Sequence, residues 1–342
     1  MYIKNSLSIV VPVYNSENTI EKCLLTIINE IKKIKHNEFE IIIVDDNSND
    51  NTNNIIRKFK EVKLIKLKKN KGVGYARNIG ARIAKNEILC YIDSDLIISE
   101  NSILSLLKRL LQNDNIGSVG AIPVLPNLNL KQWSSNFVAL KSLYGFREIK
   151  SEYYVSEAQS EFFVIYRDFL KKIGGWKAYR NAGGEEYELG YRINLFGKKN
   201  LKIKNATYTT YWDGLYSRFK KVIDRTEKYL SIFLKKKKFE TSESFVSSSQ
   251  ALSAISSSLM ILLIFLSLFF NKPIINLGIF LSIFFQLFFE YKFLIYAQRL
   301  FGLKMFFFSL FGILIINMGI LLGVFMFIIK YFKNFIKKIN CL

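Results

Sequence analysis

Short apolar runs and amphipathic stretches alternate through the first part of the chain. The runs 8–14 (SIVVPVY), 40–46 (EIIIVDD), 62–67 (VKLIKL) and 87–93 (EILCYID) are short, apolar and rich in β-branched residues, the pattern of buried strands. Between the first two, Ile20, Cys23, Leu24, Ile27, Ile28 and Ile31 recur at helical spacing, with Asn15 or Ser16 placed to cap the helix. Strands separated by helical stretches instead of two-residue turns predict a largely parallel sheet with right-handed crossovers and helices on both faces. The expected fold class is therefore α/β, a Rossmann-like sheet flanked by helices. Such sheets bind ligands beyond the carboxyl ends of their strands, and acidic clusters stand at two of those ends, Asp45-Asp46 and Asp93-Ser94-Asp95. From Trp133 to Lys204 the pattern turns mixed, aromatic and glycine-rich, which predicts shorter elements completing the other half of a site.

After Ala251 the rhythm changes to long apolar spans, about 251–270, 274–290 and 305–329, each near the roughly 20 residues a helix needs to cross hydrocarbon. Asn271-Lys272-Pro273 breaks the first two apart, and Lys292, Arg299 and Lys304 precede the third. Three crossings would put the basic C-terminus outside, against the positive-inside tendency, so the parity stays open. The expected organisation is a catalytic domain over 1–212, a basic juxtamembrane interfacial helix over 213–250, and a membrane domain over 251–342 with two to three transmembrane helices and a basic tail.

Charge changes this picture in one respect. The formal net charge is +21, a balance that could point to nucleic acid, but many lysines lie scattered along helix surfaces. The clusters Arg218–Lys238 and Lys330–Lys338 flank the apolar spans, where anionic headgroups attract them. They are read as contacts with an anionic membrane surface, and no nucleic-acid partner is expected. Phe219, Val222, Ile223, Tyr229, Leu230, Ile232 and Phe233 give the first cluster an apolar side, as in an interfacial helix. Cys23, Cys90 and Cys341 lack CxxC spacing, which suggests neither a disulfide framework nor a zinc site. The N-terminus runs into a strand-like segment without a signal-peptide pattern. The expectation is an integral protein of the cell (inner) membrane with a cytoplasmic catalytic domain.

Four segments carry candidate chemistry. Asp93-Ser94-Asp95 closes a strand whose pleat would turn both carboxylates to one side, and with a diphosphate they could share Mg²⁺ or Mn²⁺. Asp46 could accept hydrogen bonds from a base or ribose, while Asp50 and Thr52 read equally well as an Asx turn capping the next helix. In Asn70–Asn78 (NKGVGYARN), glycines precede a helix with small residues for close backbone approach, and Arg77 could pair with a diphosphate. Gly183–Arg192 (GGEEYELGYR) reads as a loop feeding a helix with three carboxylates in its first turn. That is either favourable N-terminal charge with a Glu188–Arg192 pair or the seat of a general base, and spacing alone does not choose.

In this order the segments VVPVYNSENTI, VDDNSNDNT, NKGVGYARNIGA, YIDSD, FLKKIGGW and GGEEYELGYRI resemble family-2 glycosyltransferases with a GT-A fold, over about residues 6–212. The resemblance implies an inverting transfer from a nucleotide diphosphate sugar. It implies that Pro12, Tyr14 and Glu17 border the nucleotide, that Asp46 holds its base or ribose, and that Arg77 approaches its phosphates. It makes Asp95 the principal metal ligand, with Asp93 serving ribose or metal. The family's acidic pair falls on Glu185-Glu186, with Glu186 as base, and Trp176 shapes the acceptor side. The family commonly has Asp where Glu186 stands. Many relatives also offer a late histidine to the metal; the one histidine here, His36, is early in a polar linker and is read as surface, leaving Asp213 or no further ligand.

The membrane segment directs the acceptor expectation to a lipid-linked or membrane-associated molecule, a polyprenyl phosphate or a lipid-linked glycan in cell-envelope or surface-glycan assembly. The QxxRW motif of processive synthases is absent. The alternative from another class is a catalytically silent membrane scaffold that keeps the nucleotide-sugar fold.

Overall fold

The computed structural model describes residues 6–34, 38–125, 131–147, 150–155, 161–177, 185–236 and 248–339. His36, Gly183, Gly184 and Cys341 lie outside the described residues. The chain forms two compact units, Met1–Pro126 with Phe146–Tyr211, and Asn127–Gly145 with Trp212–Leu342.

In the first unit the predicted strands appear as β1 (Leu7–Val13), β2 (Phe39–Asp45), β3 (Val62–Lys66) and β4 (Ile88–Ile92). β1 pairs in parallel with both β2 and β4, and β3 pairs in parallel with β2. The crossovers carry α1 (Ile20–Lys33), α2 (Thr52–Ile56) and α3 (Val73–Ile83). The sheet continues through β5 (Leu96–Ile98), β6 (Ile116–Pro123), β7 (Glu152–Val155), β8 (Phe162–Tyr166) and β9 (Lys199–Thr210), with α4 (Ser102–Leu111), α6 (Arg167–Lys172) and α7 (Glu185–Leu195) among them. Its order is β3-β2-β1-β4-β8-β6-β9-β5, with β7 on β9.

This second half departs from the largely parallel expectation. β8 runs antiparallel to both β4 and β6, and β9 antiparallel to β5 and β7. The sheet is therefore mixed, with β8 inserted antiparallel between β4 and β6. Two apolar layers bury its faces. Ile20, Cys23, Leu24 and Ile27 of α1 lie in one, and Ala76 of α3 with Trp176, Leu189 and Ile193 lies in the other.

α3 approaches β1 so closely that a Cβ at Gly80 would overlap Val10 Cγ1. Gly80→Ala is therefore expected to destabilise the first unit by about 1–3 kcal/mol, the cost of overpacking, visible as a lowered melting temperature. An unchanged melting temperature would mean that α3 shifts freely on the sheet.

The second unit is helical: α5 (Trp133–Leu143), α8 (Leu215–Lys236), α9 (Ser248–Ser267) and α10 (Pro273–Ile339). Gly302, at φ 76° and ψ −176°, interrupts α10, so two helices meet there. The apolar stretches 274–290 and 305–329 fall on either side of that break, and the segment with Lys292 and Arg299 is helical. Small residues let the helices approach. A Cβ at Gly323 would lie 2.7 Å from the Ile223 carbonyl oxygen of α8, and one at Gly278 would lie 2.8 Å from Leu263 of α9.

Several buried polar groups of this unit pair with one another, as an apolar surround favours. Asn317 donates to Ser253 at 3.1 Å and Ser257 at 2.8 Å, and Lys141 of α5 forms an ion pair with Glu290 of α10. Among the described residues one helical stretch, Pro273–Lys333, is long and apolar enough to cross a membrane, and Leu252–Ser267 is a shorter apolar helix. Phe265, Phe280, Phe288, Phe307 and Phe311 stand exposed on this unit.

Candidate active site

The site gathers where β1, β2 and β4 end. The loop after β1 and the loop after β2 are laced together, and both turn through left-handed asparagines, Asn15 at φ 48° and Asn47 at φ 70°, residues that tolerate that conformation. The Asn15 amide donates to Ser48 Oγ at 2.9 Å and the Ser16 amide to Thr52 Oγ1 at 2.7 Å. Asp45, fully buried, accepts from the Ser48 amide and from Asn53 Nδ2, both at 2.9 Å. Asp50 accepts from the Thr52 amide at 3.1 Å, so the Asx-turn reading of that residue holds. Glu17 accepts the Asn51 amide at 2.9 Å, which spends part of its carboxylate on the facing loop.

Asp46 is almost fully buried. Its two oxygens accept the backbone amides of Lys71 at 2.8 Å and Gly72 at 2.7 Å. Gly72 takes φ 90° at the start of α3, a value only glycine adopts without strain. Asp46 thus fixes the loop that carries Arg77 into place, and what it can offer a ligand is its remaining lone pairs.

The Asp93-Ser94-Asp95 segment is a turn between β4 and β5, not the continued pleat expected from the sequence. Pairing with β8 stops at Ile92, the Asp93 amide donates to the Glu161 carbonyl at 2.8 Å, and the Leu96 amide returns to the Asp93 carbonyl at 3.3 Å. Both carboxylates nevertheless line one cleft of about 470 Å³, together with Pro12, half-exposed Tyr14, Asp46 and Gly72. Ser94 Oγ lies 2.8 Å from Ser16 Oγ, which ties the turn to the β1 loop. Asp95 accepts from Thr210 Oγ1, at the end of β9, at 3.1 Å. Nothing near Asp95 in the sequence announces Thr210; it arrives through the β5–β9 pairing of Leu96 with Thr210.

Arg77 does not face open solvent. It is 1% exposed; its Nη2 donates to Asp93 at 2.8 Å, and its Nη1 lies 3.7 Å from Glu185. Its guanidinium stacks 4.6 Å from the ring centroid of Trp176. Trp176 is itself buried, edge-on to Tyr91 at 5.7 Å and Phe163 at 5.8 Å. Its backbone N–H and C=O both meet the Asn78 carboxamide, at 2.8 and 2.7 Å. The tryptophan expected at an acceptor surface therefore forms the floor beneath Arg77. Desolvation pushes the Asp93 carboxyl up to about 7, against the pull of the Arg77 guanidinium, with the Asp95 charge adding to the rise.

Glu185 and Glu186 open α7. Glu185 is buried toward Arg77, and Glu186 is partly exposed. Glu188 instead forms the structural pair expected of it, bonding Arg192 at 2.8 Å and Lys177 at 2.8 Å. In the second unit, Asp213 accepts from Ser217 at 3.1 Å and from Lys221, both in the first turns of α8.

Among the described residues no three His, Cys, Asp or Glu side chains are grouped to hold a metal. Two carboxylates beside an open cleft do suit a cation such as Mg²⁺ or Mn²⁺, which is bound through one or two carboxylates and completed by water and substrate phosphate. The donor set fits that class of ion.

Comparison with known proteins agrees with this arrangement. Residues 8–174 match the family described as Glycosyl transferase family 2. The poly(ribitol-phosphate) beta-N-acetylglucosaminyltransferase TarP of Staphylococcus aureus is 32% identical over 243 residues, 63% of this chain and 72% of TarP. An uncharacterized glycosyltransferase of Haemophilus influenzae is 36% identical over 111 residues, 31% of this chain and 43% of that protein. The chain thus spans under half the length of that relative. A mannosyltransferase of Pyrobaculum calidifontis, solved with GDP-Man and Mn²⁺, shares the fold at a TM-score of 0.57 and 14% identity, over 95% of this chain and 87% of that one. The chain belongs to glycosyltransferase family 2, with a GT-A fold.

Proposed function

We propose that this enzyme transfers a sugar, with inversion, from a nucleotide diphosphate sugar to a membrane-associated acceptor, a polyprenyl phosphate or a lipid-linked glycan, in cell-envelope or surface-glycan assembly. The observation that carries the reading is the cleft in which Asp93 and Asp95 meet Pro12, Tyr14 and Asp46. Pro12 and Tyr14 offer faces for a nucleoside, Asp46 offers lone pairs to base or ribose, and Glu17 braces the loop between them. Asp95, with Asp93, would hold Mg²⁺ or Mn²⁺, which when bound neutralises charge developing on the leaving diphosphate. Glu186, the more open member of the pair at the start of α7, is the base for the acceptor hydroxyl.

The acceptor assignment rests on the second unit. The apolar helix Pro273–Lys333 and the exposed phenylalanines around it suit hydrocarbon. The basic residues of α8 suit an anionic surface, and a membrane-held active site meets a lipid-borne acceptor at raised effective concentration. TarP is named for a cell-surface phosphate polymer, which supports a surface glycan as the product.

The test is transfer from radiolabelled donors, screened with Mg²⁺ or Mn²⁺, by the full chain in lipid with polyprenyl phosphate or membrane lipid extract. A labelled lipid-extractable product supports the assignment; label appearing only on a water-soluble acceptor refutes the lipid-linked one. A pH dependence follows from Asp93. Its carboxyl, pushed up to about 7, must ionise to ligate a cation, so metal binding releases a proton as pH falls through that value. Mn²⁺ affinity in the presence of UDP or GDP is expected to be full above about pH 8 and to fall up to about tenfold per unit below pH 7. A flat profile between pH 8 and 6 in calorimetric titration would remove Asp93 from the metal site.

A further inference from the structure

Strands β2, β1, β4 and β8 are successive neighbours in the sheet. β2 ends beside Asp46, β1 leads into Tyr14 and β4 ends beside Asp93, the residues that the proposed function gives to ribose, nucleoside and cation. β8 runs antiparallel to β4, so the edge where β4 ends is the edge where β8 begins. The residue there is Glu161, whose carbonyl accepts the Asp93 amide at 2.8 Å, one step past the pairing of Ile92 with Phe162. A donor with its nucleoside over β1 and its diphosphate at Asp93 brings its sugar to the start of β8. Glu161 is exposed, yet its carboxylate is held, because it accepts the hydroxyl of Tyr208. That tyrosine is a buried residue of β9, edge-on to Phe162 at 6.2 Å. Burial, and then the Glu161 charge, push the Tyr208 phenol up, so it stays protonated and donates. Thr210, two residues further along β9, donates to Asp95 at 3.1 Å. The two-residue period puts both hydroxyls on one face of β9, and each orients one carboxylate.

Resting on the proposed nucleotide-sugar function, we infer that Glu161 reads the donor sugar, that Tyr208 positions it, and that the sugar it selects is neutral and hydroxyl-bearing. An ionised carboxylate only accepts, through about four lone-pair sites, so with Tyr208 bound it still takes hydroxyl donors. Sugar hydroxyls on adjacent carbons supply two of them. A uronate brings negative charge instead, to a place where carboxylates already act on one another: the Glu161 charge adds to the rise of the Asp93 carboxyl. A like charge fixed against a wrong ligand is a means of rejecting it. Glu161 therefore serves both to hold the right sugar and to exclude an acidic one.

Binding tests this without turnover. The full chain in detergent or lipid with Mn²⁺, as wild type, Glu161→Gln and Tyr208→Phe, is titrated calorimetrically with UDP, GDP, UDP-glucose, UDP-N-acetylglucosamine and GDP-mannose. The neutral sugar nucleotide that the wild type binds tightest is then compared with the same compound oxidised to the uronate at C6. The wild type should bind the uronate at least about tenfold more weakly. Glu161→Gln keeps an acceptor for Tyr208 and removes the charge. It should weaken the neutral sugar nucleotide about fivefold, change the bare nucleotide less than about twofold, and cut the discrimination against the uronate to under about threefold. Tyr208→Phe should weaken the neutral sugar nucleotide about threefold and still reject the uronate, because the Glu161 charge remains. Melting temperatures establish that both variants are folded. Equal weakening of bare nucleotide and sugar nucleotide in Glu161→Gln, or equal binding of uronate and neutral sugar by the wild type, would overturn the assignment of Glu161 and leave the function standing. A Tyr208→Phe loss shared by the bare nucleotide would overturn the positioning role. Absence of Mn²⁺-dependent binding of every one of these nucleotides to the wild type would overturn the inference and the function together.

Discussion

Asp95→Ala is expected to lower sugar transfer by about 10³-fold or more while leaving the fold intact. The magnitude follows from the role proposed for the carboxylate: an ion held at the leaving diphosphate would stabilise charge present chiefly in the transition state, and such electrostatic stabilisation is worth several kcal/mol in a sheltered site. The structural cost is small by comparison. Asp95 stands in a turn at the edge of the cleft, and the substitution gives up the Thr210 hydrogen bond at 3.1 Å, about 0.5–1.5 kcal/mol. The measurement is steady-state transfer with Mn²⁺ at saturating wild-type concentration, beside a melting curve. Loss of transfer with a near-native melting temperature supports the metal role; transfer within tenfold of wild type would remove it. Thr210→Val offers a graded companion, because the hydroxyl orients Asp95 without touching the ion.

Much of this arrangement was legible in the sequence, and the reason is local. The runs 8–14, 40–46, 62–67 and 87–93 announce β1 to β4 because each is a short apolar strand separated from the next by a helix, and the acidic residues at the ends of the second and fourth line the cleft. The antiparallel half was not legible, since β8 and β9 take their partners by long-range pairing, and no turn signal says that Phe162 meets Ile92. The same blindness hid Thr210, brought to Asp95 by sheet register. It also hid the fate of Arg77. A helix arginine after glycines reads as a phosphate ligand, and only packing shows that Trp176 and Glu185 enclose it. The burial of Trp176 beneath Arg77 was hidden for the related reason that its position after two glycines says nothing of which face it covers. In the second unit, the cations Lys292 and Arg299 ride on α10 without breaking it, and the interruption is Gly302, whose positive φ carries no polar signal.

Glu186→Gln is expected to reduce kcat by about 10²–10⁴-fold with little change in the donor's KM. The two acids of the pair divide by environment. Glu185 is buried toward Arg77, so its charge is engaged in holding that guanidinium; Glu186 is half open at the first turn of α7. A base has to reach a hydroxyl brought from outside the domain, which favours the more exposed carboxylate. Gln keeps the size and the hydrogen-bond acceptor but cannot take the proton as the acceptor oxygen attacks. Donor and metal binding, proposed to rest on Asp46, Asp93 and Asp95, should therefore survive in this variant, and Mn²⁺ affinity with UDP or GDP should match wild type. If Glu186→Gln turns over like wild type while Glu185→Gln is inactive at saturating Mn²⁺, the base is Glu185, and Arg77 then holds the proton acceptor itself and not its neighbour.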